Sequence, residues 1–210
     1  MSLDDELSRG LEALDLSLPK DAQAKLLQHV ELVAKWNRVY NLTAVRELEH
    51  MLTQHVFDSI AVASHLKGST LIDVGSGAGF PGIPLAIVQP ALAVTLLEAN
   101  HKKSAFLKQA VIELGLKNAH VVNARVGTWK AQAPSDIVIS RAFSDLAEFV
   151  ALAGHLCADA GLLVAMKGVH PFEELAQVRA PYRTTAVVPI NVPGLAAERH
   201  LVIIERQEKA

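Results

Sequence analysis

The sequence holds a single cysteine, Cys157, among 210 residues. An internal disulfide framework is therefore excluded, and the usage suits a reducing compartment, so a cytoplasmic protein is expected. Metal-ligand spacing is missing too. Nine histidines are present, but none forms an H-x-x-x-H pair or a Cys/His cluster, and no metal is expected. Nor is there an excess of one charge. The formal net charge is −2, too balanced to capture free RNA by bulk attraction, so any nucleic-acid role must rest on a local patch. The N-terminal "MSLDDELSRG" has no apolar core and does not read as a secretory signal. One run, Val74–Leu97, carries no charged residue and is long enough to cross a bilayer. Its Gly75, Gly77, Gly79, Gly82, Pro81, Pro84 and Pro90 would break a lipid-exposed helix, so no membrane partner is expected.

What is there falls into two patterns. The first 68 residues read as helical. "PKDAQAKLLQHVELVAKWN" places Leu26, Val30 and Val33 on one face, and "RELEHMLTQHVFDSIAVASHL" repeats Leu48, Leu52, Val56 and Ile60 at four-residue steps. Residues 1–68 are thus expected to form a helical extension packed on the core, with Asn41, His55 and Asp58 as a polar network bracing it. From residue 69 to 210 short β runs alternate with helical segments. Strands are expected at 70–74, 93–98, 119–124, 136–140 and 161–167, with helices between them, including one that holds Cys157. "TTAVVPI" and "HLVIIE" close the chain as an antiparallel hairpin. The fold class is α/β: a Rossmann-like, doubly wound, mostly parallel sheet with an antiparallel last strand.

In such a sheet ligands bind outside the carboxyl ends of the strands. Polar residues collect at that rim: Asp73, Glu98, Asn123 to Arg125, Ser140–Arg141, Lys167, and "ERH" (198–200) if the last strand runs antiparallel. The first strand opens into "LIDVGSGAGFPGIP", with four glycines and with Pro81 suited to a first helical turn. "GAGFPG" matches the letters of a dinucleotide fingerprint, but only in a register shifted by two residues. Unshifted, Asp73, Gly75, Gly77 and Gly79 satisfy [D/E]-h-G-x-G-x-G, the pattern of class I methyltransferases that use S-adenosylmethionine. Glu98 suits ribose hydroxyls in either reading, so an NAD-dependent oxidoreductase stays open as the alternative. A module that binds without catalysis is the third reading.

Methyl transfer is an in-line displacement, and the acceptor decides what else is needed. A pyrimidine carbon demands a cysteine nucleophile, and Cys157 lies in a packed pattern. An exocyclic amine is typically held by [N/D]-P-P-[F/Y] after the fourth strand, where this chain reads "SRAF". Guanine N7 already presents a lone pair and needs no base.

Six stretches, "WNRVYNLTAV", "HVFDSI", "IDVGSGAGFPGIPLAI", "SRAFSDL", "MKG" and "ERHLV", together resemble the bacterial RsmG (GidB) family of 16S ribosomal RNA guanine-N7 methyltransferases. The resemblance covers nearly the whole chain. It implies S-adenosylmethionine as cofactor and 16S rRNA as partner, within a ribosomal subunit or assembly intermediate, with the enzyme acting as a monomer. It implies a cofactor loop of Gly75, Ser76, Gly77, Gly79 and Phe80, with Gly75 and Phe80 at the methionine end and Glu98 on the ribose. Val126 and Gly127 would lie by the adenine, and Arg125 is counted with them among the cofactor-binding residues. Arg141 would reach the cofactor region and is the residue assigned to catalysis. Lys102, Lys103, Lys167, Arg199 and His200 are assigned to the RNA. The chain departs from the family pattern at Ser76, Ala78 and Phe80, where Thr, Pro and Leu are usual. Gln54 replaces a basic residue, and Gly127 stands where Glu is common, leaving only its backbone for adenine.

Overall fold

The computed structural model describes residues 2–143 and 145–207. Seven strands form one sheet in the order β3-β2-β1-β4-β5-β7-β6. β1 (Thr70–Val74) lies between β2 (Ala93–Leu97) and β4 (Ser135–Ser140), with β3 (Ala119–Val122) outside β2 and β5 (Cys157–Lys167) outside β4. All of these pair in parallel. β7 (His200–Arg206) is antiparallel to both β5 and β6 (Tyr182–Pro189). Its register sets His200 opposite Lys167, so the start of β7 lies at the carboxyl end of β5.

Alternation along the strands decides which face each residue serves. Leu71 joins a cluster with Leu26, Val30, Met51, Val56, Ile83 and Phe106, whereas Ile72 and Val74 join Leu97, Val138 and Phe149 on the other side. The first cluster is covered by α1 (Leu3–Ala13), α2 (Lys20–Tyr40), α3 (Leu48–Met51), α4 (Asp58–Ile60), α5 (Gly82–Val88) and α6 (His101–Glu113). The N-terminal helices therefore share a core with the sheet. α7 (Leu146–Ala153) and the short α8 (Phe172–Leu175) cover the other face.

Several expectations need correction. Between α3 and α4, Leu52–Phe57 forms a π-helical segment, where a regular helix was expected. α5 begins at Gly82 with Pro81 as its cap, not as its first helical residue. The β3–β4 connection, expected to be helical, contains no helix among the described residues and carries only a turn at Arg125–Trp129. Cys157 opens β5, where it pairs with Ser135, and does not sit in a helix. The small-residue run "CADAG" hides this strand. Gly161 meets neighbouring backbone so closely that a Cβ would lie 2.9 Å from Asp136 O. Burial pushes the Cys157 thiol up to about 11, in keeping with packing.

Gly10 tests the packing of the extension. It is a buried interior position of α1, where alanine is ordinarily better by about 1 kcal/mol. Here a Cβ would overlap the ring of Phe57, itself 2% exposed. Gly10→Ala should therefore destabilise, by about 1–3 kcal/mol as overpacking does. A urea midpoint at or above wild type would contradict this.

Candidate functional site

The glycine loop leaves β1 at the point where the strand order reverses, between β1 and β4. Gly75, Gly77 and Gly79 have φ of 74°, 57° and 90°, left-handed values that side chains resist. The N–H groups of Gly75 and Ser76 donate to Leu97 O (2.8 and 3.3 Å), tying the loop to the end of β2. Ser76 Oγ donates to Asp73 O (2.9 Å). Two acids then hold the loop from opposite sides. Asp73 Oδ2 accepts from Gly82 N (3.0 Å), while Glu98 Oε2 accepts from Gly77 N (2.9 Å) and Glu98 Oε1 from Asn100 N (2.7 Å). Asn123 Nδ2 donates to Glu98 O (2.8 Å), fixing the strand end itself. A Cβ on Gly77 would meet nothing nearer than Gly75 O at 3.8 Å, so that position opens onto free space.

Behind the loop stands an aromatic stack that the sequence did not signal. The Phe80 ring lies between His29 (4.6 Å) and His55 (4.8 Å), with the Arg141 guanidinium 5.6 Å from its centroid. His29 shares the apolar face of α2 with Leu26, Val30 and Val33, and that spacing was the one clue available. Its Nε2 donates to Ala78 O (2.9 Å), so α2 grips the loop directly. His55 Nδ1 donates to Gln54 O (3.0 Å), and its Nε2 accepts from Thr43 Oγ1 (2.8 Å). The expected brace through Asn41 is instead centred on Asn37. Asn37 bonds Thr43 N, Thr43 O and Val45 O, while Asn41, in a left-handed conformation at the helix end, meets Arg46.

These buried groups titrate in opposing senses. Burial pushes both imidazoles from 6.5 down to about 4, and pushes the Asp73 carboxyl from 3.8 up to about 7. Stability from neutral His29 and His55 is present above pH 6.5 and lost as pH falls toward 4. Asp73 works the other way: the native state takes up its proton near pH 7, so it gains stability down to about 3.8. The two imidazoles and the carboxyl thus oppose one another as the pH falls from 7 to 4. His29→Gln keeps the donor to Ala78 O but removes one titration. Its urea midpoint should fall less than that of the wild type as the pH is lowered across that window, and a wild-type slope would refute the assignment.

Beside the stack a cavity of about 380 Å³ is lined by Gln54, His55, Asp58, Arg141, Met166, Lys167, Gly168 and Arg199. Asp58, 2% exposed, receives Arg141 Nη1 on Oδ2 (3.0 Å) and Arg199 Nε on Oδ1 (2.9 Å). Lys167 is paired with Glu174 (2.7 Å). The structure thus brings together Arg141, Lys167 and Arg199. It separates them from Lys102 and Lys103, which open α6 beyond Glu98, their amides capped by Asn100 Oδ1. His200 bonds Gly168 O through Nδ1 (2.8 Å) and stands edge-on to His170. Arg125 and Gly127 are exposed at the β3–β4 turn, with Val126 packed under them on the second cluster. A larger cavity, about 860 Å³, lies at the opposite end of the sheet around Cys157, Tyr182 and Arg206. It contains none of the rim residues, whereas the smaller one is lined by Arg141, Lys167 and Arg199 beside the glycine loop, so the smaller one is the candidate site.

A glycine loop clamped by two acids, beside a cationic cavity, fits more than one chemistry. The family model described as GidB, rRNA small subunit methyltransferase G, matches residues 22–202. The chain belongs to this family. Among curated relatives, the ribosomal RNA small subunit methyltransferase G of Nitrosospira multiformis is 54% identical over 208 residues, covering 96% of each chain. That of Neisseria meningitidis serogroup C is 46% identical over 208 residues, covering 99% of this chain and 100% of the other. Solved structures share the fold at low identity. The mitomycin 7-O-methyltransferase MmcR superposes with a TM-score of 0.64 at 14% identity, over 86% of this chain and 66% of that one. M. jannaschii TYW2 in complex with AdoMet gives 0.52 at 17%, over 71% and 76%. The chain is an enzyme of the methyltransferase class, and the oxidoreductase reading is set aside. No helix among the described residues is long and apolar enough to cross a membrane.

Proposed function

We propose that the enzyme transfers the methyl group of S-adenosylmethionine to N7 of a guanine in 16S ribosomal RNA, in the cytoplasm, on a ribosomal subunit or assembly intermediate. The residues present fit that cofactor. Gly77 opens onto free space where a side chain would obstruct, and Glu98 offers a carboxylate beside it for ribose hydroxyls. Bound there, the cofactor supplies an electrophilic methyl group. Everything else falls to the protein: excluding water, orienting the base and balancing charge. Arg125, Val126 and Gly127, at the β3–β4 turn, would serve the adenine side, and Arg141, next to Phe80 and on the cavity wall, would stand between cofactor and acceptor.

One observation carries the choice of N7. The groups on the cavity wall that could serve as a base are already committed: His55 to Gln54 O and Thr43, Asp58 to two arginines, and Lys167 to Glu174. Burial and the Arg141 charge hold His55 down at about 4. Such a wall suits an acceptor with a free lone pair and no proton to lose. Lys102 and Lys103 on one side of the loop, and Lys167, Arg199 and His200 on the other, offer flanking contacts for the RNA backbone. Small subunits from cells lacking the enzyme should accept labelled methyl groups, with mass spectrometry locating them on guanine N7. A methyl group mapped to an exocyclic amine or a pyrimidine carbon would refute the proposal. With a net charge of −2, the enzyme should methylate a short free hairpin far less well than subunits.

A further inference from the structure

Asp58 is more than a brace between helix and sheet. It follows the π-helical segment directly, a feature that recurs at functional sites. Its carboxylate joins two arginines that lie 83 and 141 residues away in the chain. Arg141 follows the end of β4, and Arg199 immediately precedes β7. Both side chains are 27% exposed and line the cavity, whereas that of Asp58 is 3% exposed.

The manner of pairing is informative. Arginine–carboxylate pairs are frequently bidentate, through two parallel N–H bonds. Asp58 takes one N–H from each arginine, Nη1 of Arg141 and Nε of Arg199. Arg141 Nη1 also meets Gln54 O (3.3 Å), and Arg199 Nη1 meets Glu198 O (2.8 Å). Arg141 Nε and Nη2 and Arg199 Nη2 donate no hydrogen bond to a described residue. Two like charges are thus held side by side, their orientation fixed, with donors left over at the cavity. A buried ion pair contributes little to stability for its desolvation cost, and positioning is the better-founded use of this one.

We propose that Asp58 is a positioning residue for the acceptor nucleotide. It aims the free N–H donors of Arg141 and Arg199 at guanine O6 and at the nucleotide's phosphate, and this rests on the guanine-N7 reading above. Planar forks suit such acceptors. The charge of Asp58 matters as well. The methylated purine carries a positive charge beside two guanidiniums, and the carboxylate offsets their opposition.

The test uses the full-length enzyme and purified small subunits. Asp58→Asn keeps the shape and removes the charge. Its single-turnover rate should fall about 100-fold, the scale of a misaligned reactant, with S-adenosylhomocysteine affinity within about threefold of wild type. The loss in the Asp58→Asn/Arg199→Gln double variant should fall well short of the product of the two single losses. Three results would overturn the proposal. One is an unchanged rate at a temperature where the variant is folded, which leaves only bracing. The second is multiplicative losses. The third is tighter subunit binding with faster transfer, which would make Asp58 a competitor of the RNA. Should Asp58→Asn not fold, Asp58→Glu carries the test. With charge kept and oxygens displaced, the rate should drop at least about tenfold at an unchanged urea midpoint. A wild-type rate there would also overturn the proposal. If the acceptor reading itself is wrong, that appears in the wild-type methylation map, independently of any Asp58 variant.

Discussion

Replacing Glu98 by Gln should raise the dissociation constant for S-adenosylhomocysteine at least about 100-fold, although the two side chains have the same shape. The geometry is unforgiving of the exchange. Both carboxylate oxygens accept from backbone amides, Oε2 from Gly77 and Oε1 from Asn100. An amide in their place must turn its NH₂ toward one of those N–H groups, donor against donor. The loop would lose one tether, and the ribose would lose charge-assisted bonds of about 1.5–3 kcal/mol each. Calorimetry with S-adenosylhomocysteine measures this directly. An affinity within a few-fold of wild type would remove Glu98 from the cofactor site and leave it a loop clamp.

The second large effect is expected from Gly82→Ala. At the start of a helix alanine ordinarily helps, but a Cβ here would overlap Leu96 Cδ2 and lie 2.7 Å from Asp73 Oδ2. Neither neighbour can yield, since Leu96 and Asp73 are both 0% exposed. Relief requires α5 to back away from β1, which breaks the bond from Gly82 N to Asp73. Overpacking and the lost bond together should cost about 3 kcal/mol, with cofactor affinity falling alongside as the loop shifts. Urea denaturation checks the first and calorimetry the second. A midpoint equal to wild type would show that the contact between α5 and β1 is looser than described.

Much of the rim could be read in advance, because strands leave their mark locally. Apolar runs ending in Asp73, Glu98, Ser140–Arg141 and Lys167 lie where the structure ends β1, β2, β4 and β5. The antiparallel ending, with Arg199 and His200 brought to the same edge, likewise agrees with the observed pairing. The misreadings have physical causes. "CADAG" satisfies helical spacing and strand pairing alike, and tertiary pairing with β4 settles it as strand. Asn41 ends α2 in a left-handed conformation and meets Arg46, while the buried Asn37, inside α2, is the one that reaches the loop carbonyls. His29 lies on the apolar stripe of α2, and a histidine there gives no sign in the sequence of whether it packs or pairs.

The sequence by itself determined the alternation of strand and helix, the unshifted register of the glycine loop and the acid 21 residues beyond Gly77. Each is a matter of short-range spacing, and short-range spacing sets backbone conformation. Only the tertiary structure decided that Phe80 stands between two imidazoles and that Asp58 holds Arg141 and Arg199 together. Those contacts join segments up to 141 residues apart. No local periodicity encodes them, because they exist only once the sheet has brought its strand ends to one edge and the helical extension has packed against it.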